Sequence, residues 1–304
     1  MARKSAWLVL VLAGLACLPA VSRAQEIEPR AYAASPTGVT FVGLALGRSS
    51  GAVLTDPSLP VDDVEAEINA GAVAVGHTFG LFNRLTSAAV ILPYVRGDFT
   101  GTLDGEPAEA SREGMGDVRL RLAMNFIGTP ALTPAEFMKR APTTTLGASL
   151  TVVVPTGEYH EDKLINVGTN RWAIKPEIGV SQPIGRWFLE AYAGAWIFGD
   201  NDDFFGGHHR EQEALTSMQA HVAYVFRPRL WLAVDGTYYD GGRSTIDGVQ
   251  KDERQTNSRV GMTHAVPIGP RQSLKFSWSQ GASTRIGSDF TAYGIAWQYT
   301  HIRK

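Results

Sequence analysis

The chain has 304 residues, 44% of them hydrophobic and 19% charged, with a formal net charge of −2. Without a basic stripe, that balance argues against nucleic acid as a partner. Beyond the N-terminal leader no apolar run approaches the roughly 20 residues of a membrane-spanning helix. This excludes a helical membrane bundle but not a barrel, whose strands are only half apolar.

The N-terminus reads as a secretory signal. Arg3 and Lys4 charge its start, Trp7 to Leu18 is apolar, and Ser22-Arg23-Ala24 offers small residues for cleavage, so residues 1–24 are expected to be removed. Cys17 follows an apolar run, but Gly14-Leu15-Ala16 is a poor match to a lipoprotein processing site. Cleavage after Ala24 leaves no cysteine, so the mature chain needs no disulfide. Residues 25–38, polar with Pro29 and Pro36, read as a periplasmic arm or a segment tucked into a barrel mouth.

Strands begin at Val39. They are expected near 39–49, 64–78, 85–99, 114–127, 143–155, 172–183, 187–199, 215–227, 230–240, 255–267, 272–284 and 289–301. The fourth shows the pattern best. In Asp117 to Phe126, Val118, Leu120, Leu122, Met124 and Phe126 share one face, and Asp117, Arg119, Arg121 and Asn125 the other. Segments of this kind, separated by short turns and long polar loops in alternation, describe an all-β, antiparallel, up-and-down transmembrane barrel of about twelve strands over residues 39–304.

The connections sort by length. Residues 80–84, 183–186, 227–229 and 268–271 are short turns carrying Gly, Pro or Asn, whereas 50–63, 100–113, 156–171, 200–214 and 241–254 are longer and polar. Short turns face the periplasm and long loops the outside, which puts both termini in the periplasm of a Gram-negative cell. The linker 128–142 is long for a turn; its Thr133-Pro134-Ala135-Glu136 resembles a helix start. Pro93, Pro155, Pro176 and Pro267 are expected at bulges or strand ends, because proline removes a ladder bond. In the last strand Tyr293, Ile295, Trp297 and Tyr299 alternate. Gly294, Trp297 and Tyr299 resemble the closing-strand signal read by the barrel insertion machinery, although the chain ends in His301-Ile302-Arg303-Lys304 rather than an aromatic residue.

Several spaced motifs carry a family resemblance over nearly the whole mature chain. They are Asp117-Val118-Arg119-Leu120-Arg121, Pro155-Thr156-Gly157-Glu158-Tyr159, residues 163–172, residues 201–207, Tyr239-Asp240-Gly241-Gly242 and Asn257-Ser258-Arg259-Val260-Gly261. As a set they resemble the outer-membrane family named for the MetA pathway of phenol degradation. The resemblance implies an outer-membrane barrel of the transporter type, associated by name with aromatic degradation, and supplies no catalytic residues.

The faces suggest what such a barrel holds. Glu65, Glu67, Arg119, Arg121, Lys175, Glu177, Glu190, Asp235, Arg259 and Lys275 are expected on the lumen side, since an Arg or Lys facing lipid at mid-membrane costs about 2–4 kcal/mol. They make either a polar conduit or a salt-bridged filling, because twelve strands lie between filled and open barrels. Tyr192, Trp196, Trp231 and Tyr239 also face inward, and Phe204-Phe205 in a polar loop offers a hydrophobic lip at the mouth. Asp200-Asn201-Asp202-Asp203 with His208 and His209 lacks the calcium-loop pattern and reads as a solvated loop, so no metal or other cofactor is expected.

A lipid hydrolase would need a serine and a histidine meeting at the lipid face. Of seven histidines only His264 is expected there, near the periplasmic end, and no G-x-S-x-G elbow exists. The reading is therefore a non-enzymatic channel for passive uptake of small solutes, aromatic or hydrophobic ones among them. Its partners are outer-membrane lipid, lipopolysaccharide, the insertion machinery and the solute. The alternatives are a structural barrel with a filled lumen or a barrel lipid hydrolase.

Overall fold

A computed structural model describes residues 27–52, 61–103, 106–285 and 289–302. The expected leader, residues 1–24, lies outside the described residues, as does much of the linker 50–63. In chain order the elements are β1 (Val39–Ala52), β2 (Val61–Leu81), β3 (Arg84–Leu103), β4 (Glu106–Met115), β5 (Val118–Pro130), α1 (Pro134–Phe137), β6 (Thr145–Val154), β7 (Ala173–Ile184) and β8 (Trp187–Phe198). Then follow β9 (Asn201–Phe204), β10 (His208–Gln212), β11 (Leu215–Arg227), β12 (Leu230–Gly241), β13 (Ser244–Ile246), β14 (Val249–Gln250), β15 (Gln255–Gly269), β16 (Gln272–Ser283) and β17 (Phe290–Ile302).

Thirteen of these strands form one antiparallel sheet that closes on itself, with β1 beside β17 from Val39↔Ile302 to Gly51↔Phe290. β5 pairs with the first half of β3, Arg84 to Ile91, and β4 with the second half, Tyr94 to Leu103, so β4 and β5 act as one interrupted strand. The barrel therefore has twelve strands, as the alternation implied. Pro93 sits at the hand-over, where its missing N–H costs no ladder bond; its carbonyl accepts from Gly116 N at 2.9 Å. Pro267 lies at a bulge, Pro155 follows the end of β6, and Pro176 falls where the β7–β8 ladder skips from Ile174 to Glu177.

The outer face is apolar through the middle of the barrel. Val75, Val90, Leu122, Leu150, Ile178, Val222, Val234, Met262 and Ile295 are all exposed there. Aromatic residues flank this belt: Trp187, Tyr224 and Phe226 at the turn end, and Tyr94, Trp172, Tyr238 and Tyr293 at the loop end. A belt about ten residues tall between aromatic girdles is the lipid-facing surface of a membrane barrel. Leu122→Arg is accordingly expected to lower the free energy of unfolding into urea from liposomes by about 2–4 kcal/mol. An arginine at Glu113, beyond the girdle, should leave it unchanged.

Residues 100–113 were expected to be a loop but are mostly strand: β3 runs to Leu103 and β4 starts at Glu106. Here β2, β3 and β4 rise past the Tyr94 girdle, and outside lipid the outer face needs no apolar stripe. It carries Asn69, Arg96, Asp98, Glu109 and Glu113, while Val64, Ala66, Ile68 and Val95 turn inward. Glu65 and Glu67 belong to this outer face, which corrects their expected lumen position. Both are exposed, and Glu67 Oε2 meets Arg48 Nη2 at 2.9 Å. The rule that charge points inward holds only at membrane depth. Loops 200–214 and 241–254 likewise hold strands, with β9, β10, β13 and β14 forming a separate four-stranded sheet.

At the turn end α1 begins as its sequence indicated. Thr133 is its N-cap, Pro134 opens the first turn, and Glu136 completes a capping box with Thr133.

Candidate functional site: plug and chamber inside the barrel

Residues 27–38 run inside the turn end of the barrel and are held by side chains from six strands, Thr78 of β2 among them through its hydroxyl to the Pro36 carbonyl. Arg30 donates its backbone N–H to Glu190 Oε2 at 2.7 Å, its guanidinium lies 3.4 Å from Glu190 Oε1, and it stacks 3.8 Å from the Phe188 ring centre. Glu28 N donates to Gln219 Oε1, and Asn125 Nδ2 donates to the Tyr32 carbonyl. The Tyr32 hydroxyl lies 3.1 Å from both Ser149 Oγ and Glu177 Oε1, and its ring meets Tyr192 edge-on at 5.1 Å. Two glycines make room for that ring. A Cβ at Gly147 or at Gly179 would fall inside the Tyr32 ring carbons. The segment leaves through Thr37, whose N–H and hydroxyl both donate to the Leu132 carbonyl, and Gly38, which donates to the Thr78 carbonyl.

Above Tyr32 lies a layer of paired charge. Lys175 Nζ and Glu177 Oε2 are 2.9 Å apart with both side chains about 5% exposed or less. Gln219 Nε2 donates to the same Glu177 oxygen, and Arg121 Nη2 donates to Ser149 Oγ. Further along the same wall, Asp235 holds His221 Nδ1 at 2.7 Å and accepts from Thr263 Oγ1 at 2.8 Å. These groups bond one another because strands β5 to β8, β11, β12 and β15 present every second residue to a lumen too narrow to hydrate them all.

Toward the loop end the lumen widens into a chamber of about 360 Å³. Its walls are largely apolar: Ile68, Ile91, Val95 and Val153 from strands, and Leu164 and Val167 from loop 156–171. That loop is folded over the lumen by Asp117. One Asp117 oxygen accepts from Gly157 N at 2.9 Å, and the other from Thr169 N at 2.9 Å and Thr169 Oγ1 at 2.7 Å. Asn201, 3% exposed, ties the same loop to β9 by donating to the Tyr159 hydroxyl at 2.9 Å. A Cβ at Gly157 would strike the Gly168 backbone, so the loop crosses itself where only glycine fits.

Cations set against aromatic rings stand at the chamber and in the wall around and below it. Arg171 lies 4.7 Å from the Phe198 centre, Arg210 5.0 Å from Phe204, Arg259 3.7 Å from Phe290, and Lys175 5.6 Å from Trp196. The buried Arg259 guanidinium on the β15 wall donates to Ser279 Oγ and to the Phe290 carbonyl.

The lumen positions expected from alternation divide by level. Arg121, Glu177, Glu190 and Tyr192 surround the N-terminal segment; Arg119, Trp196 and Phe204 line the chamber; Lys175 lies between the two. Asp235, Arg259 and Lys275 are also buried on inner faces. Tyr239 packs with Trp196, Leu215 and Val153 beneath the loops. Trp231 lies at the turn end among Ala223, Ala233 and Ala265, at the opposite end of the barrel from the loops. Phe205 occupies the β9–β10 turn with φ of 21°. In β17, Gly294 is on the inner face, and Trp297 and Tyr299 are on the outer face, Trp297 donating to Gln272. His264 is on the outer face, bonded to the Trp231 carbonyl; His77, bonded to Thr40, is there too, so His264 is not alone as expected. Sequence reasoning missed Arg30 and Tyr32, and the role of Asp117, whose partners are 40 and 52 residues away.

Outside the barrel, Asp200, His209 and Glu211 bring one ligand-type atom each within 4.8 Å of the others. A hydrogen bond donated to the Asp202 carboxylate raises the pKa of His209, and hydrogen bonds from His209 N and His208 hold Asp247 below the ordinary carboxylate range. These contacts bind β10 to the β13–β14 turn.

An outer membrane channel from Pseudomonas putida F1 superposes with a TM-score of 0.78 and 23% identity, over 91% of this chain and 100% of that one. The transport unit of the autotransporter AIDA-I from Escherichia coli superposes at 0.51 with 10% identity, over 86% and 89%. At these identities the likeness is one of fold. No curated protein sequence matches the chain significantly. A family model described as "Putative MetA-pathway of phenol degradation" matches residues 46–298, and the chain belongs to that family.

Proposed function

We infer that the protein is an outer-membrane channel for passive uptake of small hydrophobic or aromatic solutes, closed at rest by residues 27–38. The observation that carries this reading is the largely apolar chamber of about 360 Å³ inside a lipid-facing barrel, within the roughly 300–1,000 Å³ range of small-molecule pockets. A barrel built only to fill the membrane has no need of such a space beneath a loop folded over it. In this reading residues 1–24 are a cleaved signal and both termini are periplasmic. Gly294, Trp297 and Tyr299 are read by the insertion machinery, lipopolysaccharide surrounds the upper wall, and no chemical step is assigned. The Pseudomonas putida protein of the same fold, described as an outer membrane channel, supports the reading.

The test is uptake. In a strain limited by entry of a radiolabelled phenol, deletion of the protein should slow accumulation at low external concentration, with the defect masked at high concentration by other routes. Phe204→Ser with Phe205→Ser should reproduce part of the slowing. Equal uptake in deletion and wild type at every concentration would remove the transport reading. The second reading, a filled structural barrel, draws on the buried Lys175–Glu177 pair below the chamber.

A further inference from the structure

The chamber has a charge as well as a shape. Among the described residues, Arg112, Arg119, Arg171 and Arg210 line it, against Asp117 and Glu253. Both carboxylates are committed to the loops. Asp117 accepts from Gly157 and Thr169, and Glu253 accepts from the Ser244 N–H and hydroxyl on the β13 side and lies 4.0 Å from Arg210. The space enclosed therefore has an excess of fixed positive charge in a low-dielectric wall, where an anion is attracted more strongly than in water.

Its aromatic groups stand beside that charge. Phe198, Phe204 and Phe290 each present a ring that already carries a guanidinium on one face. Trp196, only 3% exposed and part of the chamber lining, has an indole Nε1–H that is buried and meets no acceptor. A buried donor without an acceptor costs free energy that a ligand oxygen can recover.

We propose that the chamber is a binding site for an aromatic monocarboxylate, whose ring lies on the apolar wall and whose carboxylate is received by Trp196 Nε1–H and the Arg119 side of the chamber. This rests on the channel reading and narrows its solute class. A neutral hydrocarbon would leave the indole N–H unsatisfied, and a small aliphatic acid would leave the apolar wall uncovered. Only a solute with both parts uses both features.

The experiment is calorimetric titration of the tag-free full chain in detergent, with matched micelle blanks. The probes are benzoate, benzyl alcohol and acetate. Benzoate is expected to bind at one per chain, and benzyl alcohol and acetate at least tenfold more weakly. Trp196→Phe keeps the ring and removes the donor; it should weaken benzoate about tenfold, the scale of a hydrogen bond to a charged group, and leave benzyl alcohol unchanged. Arg119→Gln should weaken benzoate similarly, with Arg119→Lys restoring part of the affinity. Heat-shifted gel mobility verifies that each variant is a folded barrel. The proposal is overturned if acetate or benzyl alcohol binds as tightly as benzoate, if benzoate does not saturate, or if Trp196→Phe and Arg119→Gln both leave its affinity intact. Failure here with slowed phenol uptake in the deletion strain would remove the anion site and leave the channel.

Discussion

A chain lacking residues 27–37 is expected to open steady conductance in planar bilayers where the intact protein conducts little or nothing. The segment is the chief obstruction at the turn end, and its contacts are specific: Arg30 to Glu190, Tyr32 to Glu177 and Ser149, Glu28 to Gln219. None of them belongs to the ladder that closes the barrel, which runs from β1 to β17 through Val39↔Ile302. The barrel should therefore survive the deletion, and the freed carboxylates of Glu190 and Glu177 should hydrate rather than stay buried and unpaired. Glu190→Ala removes both Arg30 contacts and the Ser181 and Tyr192 hydroxyl contacts. It should give a partial version, with brief openings against a closed baseline. Gly179→Leu tests the same idea from the wall, since any side chain there occupies the space of the Tyr32 ring. Equal conductance in the deletion and the intact chain would mean that the obstruction lies elsewhere, in loop 156–171 or the charged layer.

The parts of this architecture that were legible in the sequence are those that lipid dictates. Along β5 every second residue from Leu120 to Met124 meets the bilayer, and a single charge in that set would be costly, so the alternation is strict and readable. The same holds for β6, β7, β8, β11 and β12, and it placed Arg119, Arg121, Lys175 and Asp235 on the inner face. Past the Tyr94 girdle the constraint lapses. There Glu65 and Glu67 point outward into water, and β4 looks like a loop because Ala108, Ala110 and Arg112 make a weak inner stripe. The N-terminal segment was ambiguous for another reason: the partners of Glu28, Arg30 and Tyr32 are 93 to 191 residues away. The available trace was a pair of inner-face glycines, Gly147 and Gly179, on neighbouring strands, where a gap in the wall asks what fills it. The chamber was half legible. Trp196 and Phe204 were singled out, whereas Arg171 and Arg210 sit in segments with no periodicity to assign their faces.

Lys175→Met is expected to be among the most destabilising single changes in the lumen, by about 3–5 kcal/mol, because it strips the counter-charge from a carboxylate that has no water to turn to. Glu177 is 5% exposed; without Lys175 it keeps only the Tyr32 hydroxyl and Gln219 among the contacts described above. Two neutral donors do not replace an ammonium at 2.9 Å in a low-dielectric layer. The second substitution decides the interpretation. Lys175→Met with Glu177→Gln removes both charges, keeps an acceptor for Tyr32 and a similar volume, and should recover more than half of the loss, since replacing a whole buried pair is far cheaper than breaking it. Urea titration in liposomes, read by the fraction of heat-shifted barrel on gels, measures both. A wet lumen gives a different result: a hydrated pair contributes about 0–1 kcal/mol and weakens with salt. A single-variant loss below about 1 kcal/mol, or one abolished by raising ionic strength, would show water reaching Glu177 in the resting state. The N-terminal segment would then be a loose stopper over an aqueous path rather than the lower wall of a dry layer.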